Sequence, residues 1–197
     1  MARREDRDTR RQQILAAAAA VIAHKGYHGA RMDDVVAEAG LSKGAIYWHF
    51  KSKDEIAIAL VDYLFDLQFW SIPEGPEGAT VRDRFMALVD NMAEHATKNP
   101  EFGTLAFELY SLARRLPEMA KKLEHNFHRT IADATTLLDE GTTRGELENV
   151  DTKVAAETLV AMIDGIIAHW TLAPPNSDLR ARLRAATGLL FDSLAKS

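Results

Sequence analysis

Apolar positions recur along this chain with helical spacing, and nowhere with the alternation of a half-buried strand. "RRQQILAAAAAVIAHK" puts Ile14, Leu15, Ala18 and Ile22 on one face. Thr9 followed by Gln12 has capping-box spacing, so the first helix is expected to open there and to end at a left-handed Gly26. "MDDVVAEA" reads as a short second helix. Asp33 and Asp34 sit in its first turn, where the helix dipole favours negative charge, and Gly40 stops it. Ser42 is placed to cap a third helix, "KGAIYWHF". Ser52 with Glu55 opens a fourth, "KDEIAIALVDYLFDLQFW". Helices two and three meet at "GLS", the outline of a helix-turn-helix.

"SIPEGPEGAT" is the clearest loop. Further helices are expected at about 80–98, from Asn99-Pro100 and from Pro117, since proline suits the first helical position. A second loop, "EGTTRGELENVD", precedes two last helices at about 152–172 and 177–195, separated by "APPNS". The reading is an all-α chain of about nine helices. Helix eight carries Leu159, Met162, Ile163, Ile166, Ile167 and Trp170, too wide an apolar arc for one core face. Helix nine repeats the excess with Leu179, Leu183, Ala186, Leu190 and Leu194. Such faces point to burial on both sides, with a thick monomer core as the alternative.

Composition narrows the class. A chain of 197 residues, 47% hydrophobic, can bury a real core as one large domain or two small ones. Without cysteine there are no disulfides, thiolate zinc sites or cysteine nucleophiles. The amino terminus is charged rather than leader-like, and no continuous run of about 18 apolar residues appears, so a cytoplasmic protein with no membrane span is expected. The net charge of -5 is unevenly placed: residues 1–53 carry +4 and the remainder -9. Only local charge acts within a Debye length of roughly 10 Å at 0.1 M salt, so the basic front can meet a polyanion.

That front contains "LSKGAIYWHFKSKDE". Ile46 and Phe50 share the face that packs inward, leaving Lys43, Ala45, Tyr47, Trp48 and His49 outside or at the edge. Lysine supplies charge, Tyr and His can donate to phosphate oxygens, and Gly44 and Ala45 permit close approach. A recognition helix enters the major groove by its first turns, so this helix is expected to touch DNA. Trp48 suits either DNA contact or domain-edge packing. Arg3, Arg4 and Arg7 are diluted by Asp6 and Asp8, and a disordered tail is expected there rather than a minor-groove arm.

Residues 9–55, above all "AGLSKGAIYWHF" and "KSKDEI", resemble the DNA-binding domain of the TetR family of bacterial transcriptional regulators. The resemblance implies a DNA-binding domain at residues 1–52 and a ligand-binding and dimerisation domain at 53–197. It implies a homodimer, through the helices at 152–172 and 177–195, on a pseudo-palindromic operator. Repression, with release by an unidentified small-molecule effector, is the usual mode, and activation or ligand-independent binding is the alternative. It places Lys43, Ala45, Tyr47 and His49 at the DNA, with Lys43 and Ala45 near bases and Lys53 on a phosphate; Ser42, Gly44 and Trp48 beside them are kept as further DNA-contact candidates. Where the family often has Thr or Ser before the methionine of helix two, this chain has Arg31, which cannot accept an amide hydrogen; it is kept as a DNA-contact candidate.

The effector candidates are Phe69, Trp70, Phe85, Met86, Met92, Phe102, Phe107, Tyr110, Phe127, Met162 and Trp170. They lean towards an apolar or aromatic molecule; Glu108 and Asp164, if buried, would suit a cation. His125 and His128 share a helix face, but one such pair is too few for an expected metal site, and no cofactor is expected. There is no phosphate-binding glycine loop and no nucleophile elbow, so an enzyme or carrier is the minor reading.

Overall fold

The computed structural model describes residues 2–66, 71–148, 150–172 and 178–195, with side chains from Arg7 onward and without that of Asp66. Nine helices lie among the described residues: α1 Ala2–Gly29, α2 Met32–Ala39, α3 Lys43–His49, α4 Lys53–Asp66, α5 Val81–Lys98, α6 Glu101–Ala113, α7 Pro117–Thr143, α8 Thr152–Leu172 and α9 Leu179–Leu194. The expected all-α outline holds. The remainder of the expected fourth helix, past Asp66, lies outside the described residues.

One start differs. α1 opens at Ala2, and Thr9 sits inside it rather than at its cap. The preceding residues carry three arginines, which lose little rotamer freedom in a helix, and no Gly or Pro, so nothing in them stops the turn before Thr9. The arginine-bearing start is therefore helical where a disordered tail was expected. At its other end α1 breaks at Gly26, with φ 69° and ψ 160°. Only glycine adopts that region readily.

The chain packs as two compact units. One holds Met1–Leu67 with Glu101–Glu124; the other holds Gln68–Pro100 with His125–Ser197, so the boundary passes within α7.

In the first unit, Ile14, Leu15, Ala18 and Ile22 of α1 are buried as their spacing requires, together with Val35, Ile46, Ile56 and Leu60. Gln13 of α1 donates to the carbonyl of Ala39 at 2.9 Å and ties down the end of α2. α6 packs on α1 and α4. In the second unit, α5 lies on α9 and α9 on α8, around Phe85, Val89, Leu138, Leu159, Leu183 and Phe191.

α8 alone among the described helices is long and apolar enough to cross a membrane, with mean hydropathy 1.2 over an 18-residue window of which 28% is buried. No continuous apolar run was expected, and Glu157 and Asp164 do interrupt it, each a cost inside hydrocarbon. Its high mean comes from apolar residues spread around the helix. Ala156, Leu159 and Ile163 are buried, Met162, Ile166, Ile167 and Trp170 are half-buried, and Val154 and Leu172 face outward.

Candidate nucleic-acid interface

The turn between α2 and α3 is built from local chemistry. Gly40 ends α2 in the left-handed conformation, with φ 62° and ψ 24°. Ser42 then caps α3, its hydroxyl accepting the Ala45 N–H at 3.2 Å. Ile46 is fully buried and Phe50 nearly so, and these two anchor the helix. Ser42, Lys43, Gly44 and Trp48 are exposed as a result; Ala45, Tyr47 and His49 lie half-buried at the margin.

The lysines differ in their commitments. Lys43 is exposed and pairs with Asp33 of α2 at 2.7 Å. That carboxylate, by hydrogen bond and charge, raises the Lys43 pKa. Lys51 reaches back to the Tyr47 carbonyl at 2.8 Å. Lys53, expected at a phosphate, is half-buried and donates to the carbonyls of Tyr27 at 2.6 Å and Ala30 at 2.8 Å. Its ammonium also lies 4.3 Å from the Tyr27 ring centre. It caps the end of α1, whose last carbonyls have no partner within the helix.

Arg31 occupies the N-cap of α2 and its side chain makes no cap bond. The reciprocal half of the cap survives, because Asp34 accepts the Arg31 N–H at 2.9 Å. Asp34 also accepts Lys25 at 2.8 Å, and these two contacts lower its pKa. The Arg31 side chain is exposed.

Two further cations stand over α3 that sequence reasoning did not place there. Arg7 lies 5.2 Å from the Trp48 ring centre, and Arg11 lies 5.4 Å from that of Phe50. Trp48 also meets His49 edge to face at 4.7 Å. Burial pushes the His49 pKa down, and the charges of Arg7 and Arg11 push it further. The available signal was the spacing of Arg7 and Arg11, which puts them on one face once α1 is continued upstream.

Behind α3, the break at Gly26 leaves the Tyr27 N–H without a helical partner, and Glu108 of α6 accepts it at 2.9 Å. The Tyr27 hydroxyl donates to Asp54. Burial first, and that carboxylate second, push the Tyr27 pKa up. The end of α1 is thereby held by α4 and α6 together.

The effector candidates scatter. Phe69 and Trp70 lie outside the described residues. Phe102 and Phe107 are half-buried and Tyr110 is exposed, all in the first unit. In the second unit, Phe85 and Met92 are core, while Met86, Phe127, Met162 and Trp170 are half-buried. A cavity there is lined by Ile72, Phe85, Leu88, Thr130, Leu159 and Ile163 among others, with about 10 Å³ of free space, room for one water. Among the described effector candidates, Phe85 alone lies on its wall. Glu108 is committed to Tyr27, and burial pushes the Asp164 carboxyl up to about 7. His125 and His128 are exposed on α7.

Comparison with known proteins adds the context. A family model described as "Bacterial regulatory proteins, tetR family" matches residues 14–60, and one described as "BetI-type transcriptional repressor, C-terminal" matches residues 81–195. The chain is 27% identical over 185 residues to the fatty acid metabolism regulator protein of Bacillus subtilis (strain 168), covering 92% of this chain and 94% of that one. It is 47% identical over 103 residues to the transcriptional activator FasR of Mycolicibacterium smegmatis, covering 52% and 47%. A crystal structure of a TetR-family regulator from a Rhodococcus species matches with TM-score 0.78 and 26% identity, covering 92% of this chain and 98% of that one.

Proposed function

This chain belongs to the TetR family of bacterial regulatory proteins and is a helix-turn-helix transcriptional regulator, and we propose that it acts as a homodimeric repressor released by a small-molecule effector. The observation that carries the DNA assignment is α3: a capped helix anchored by Ile46 and Phe50 that turns Lys43, Gly44 and Trp48 to solvent. Lys43 and Ala45 read base edges, Ser42, Gly44, Tyr47 and His49 sit on the backbone beside them, and Arg31 reaches an adjacent phosphate. Lys53 acts one step behind, by fixing the end of α1; its third donor is free for a phosphate. Functionally we divide the chain at 1–52 and 53–197, the reading head and the part that senses and dimerises. No enzymatic step is assigned, and the protein works where its operator is, in the cytoplasm.

The dimer forms through α8 and α9. Val154, Leu172 and Leu189 are 55%, 68% and 74% exposed, and the small residues Ala161 and Ala185 beside them let a partner helix approach closely. Two heads on a two-fold axis then read half-sites about one helical turn apart, roughly 34–36 Å. The effector enters the second unit near Phe85, Met86, Phe127, Met162 and Trp170, widening the cavity against Leu159 and Ile163. The lining is apolar and the Bacillus relative's name concerns fatty acid metabolism, so long-chain acyl compounds are screened first. Repression is favoured over activation because the carboxy-terminal family model is of repressor type.

Selection from random duplex DNA, followed by mass measurement of the complex, tests the reading. The expected outcome is one palindromic site bound by two chains. Binding with no sequence preference, by protein refolded free of ligand, rejects it.

A further inference from the structure

We propose that Arg7 of α1, stacked on Trp48, is a further DNA-phosphate contact, so that the interface extends from α3 onto the early turns of α1. The inference rests on the DNA-binding reading and goes beyond the helix-turn-helix residues.

Three observations carry it. First, α1 is helical from Ala2, which fixes the position of Arg7 relative to α3. Second, the Arg7 guanidinium lies 5.2 Å from the centre of the Trp48 ring, and Trp48 is 61% exposed. A guanidinium held over an aromatic ring can still present its N–H edges to two oxygens of one phosphate. The aromatic platform also holds the long side chain in one place, which lowers the entropy lost on binding. Third, Arg7 is exposed and pairs with no carboxylate among the described residues, so its donors are open.

Arg11 makes the contrast. It sits one turn on, half-buried, over the buried ring of Phe50, and serves the packing of α1 on α3. The depressed pKa of His49 is consistent with both guanidinium charges lying close to α3. The arrangement also explains why a tryptophan stands exposed on the reading head. Its role is to present Arg7, and its own contact with bases is not required.

The test titrates the selected operator duplex at several salt concentrations with the full-length protein and with R7A, R7K and W48A. Each phosphate contact contributes about 0.9 to the slope of log affinity against log salt. R7A is expected to lower the slope by about 0.9 and to weaken binding roughly eightfold at 0.1 M salt, equally for operator and unrelated duplexes. R7K, which keeps the charge, should restore most of the slope. W48A should weaken binding far less in the R7A background than alone. An R7A variant that binds as the wild type overturns the proposal. So does one that binds more weakly with the slope unchanged, since that is the signature of a merely structural prop. If the wild-type protein selects no sequence at all, the DNA-binding reading fails first, and that failure is visible before any variant is made.

Discussion

Lys53 has three donors, and two are used inside the protein on the carbonyls of Tyr27 and Ala30. Hydrogen bonds from a charged group contribute about 1.5–3 kcal/mol each, less where solvent reaches them. Lys53→Ala should therefore cost about 2 kcal/mol of stability, a fall in Tm of roughly 4–8 °C by thermal denaturation. An unchanged Tm with weakened DNA binding would return Lys53 to a pure phosphate role. Asp164 behaves differently. Folded, it holds its proton up to about pH 7 because burial penalises the charge. Unfolded, it releases the proton near pH 4. Stability must then fall as pH rises between those values and level off above them. Asp164→Asn should flatten that fall and raise stability at pH 8 by a few kcal/mol at most. Denaturant unfolding at pH 5 and pH 8 checks it; an unchanged pH profile would show that Asp164 is solvated.

At the scale of the element, α1 is two helical pieces joined at Gly26, and the joint is held from outside. Glu108 takes the stranded Tyr27 N–H, and Lys53 takes the carbonyls that follow. A Cβ at Gly26 would lie 3.5 Å from Glu108 Oε1, an ordinary contact, so space is not the constraint. The backbone angle is, and an L-residue there costs on the order of 1–3 kcal/mol. Gly26→Ala should lose about 2 kcal/mol in denaturant unfolding and weaken operator binding with it. Full stability in that variant would mean α1 can straighten. The reading helix shows the opposite case, where every device is local: a left-handed Gly40, a Ser42 cap and two apolar anchors four residues apart.

At the scale of the molecule, the proposed homodimer requires two reading heads held at a fixed spacing. The apolar residues left outside α8 and α9 are the means proposed. Leu189 is 74% exposed in one chain, so Leu189→Glu should leave the protomer fold intact. Burying that carboxylate at an interface would cost several kcal/mol, enough to dissociate the dimer at micromolar concentration. Light scattering should report a monomer with wild-type helicity and lost operator binding. A dimer that persists would move the interface off α9.

What the sequence alone determined is what short-range physics controls. Helical spacing, capping residues and proline positions marked nine helices, and "AGLSKGAIYWHF" placed the reading helix and its two anchors. The start of α1 was missed because a plausible cap at Thr9 does not exclude helix before it. Tertiary structure decided the rest. It put Arg7 on Trp48, turned Lys53 inward to α1, joined Glu108 to Tyr27, and left Leu189 rather than Leu183 facing out. Each of these joins residues far apart along the chain, or chooses between two apolar faces of one helix. Local propensity is the same for either choice; only the packing of one helix on another separates them.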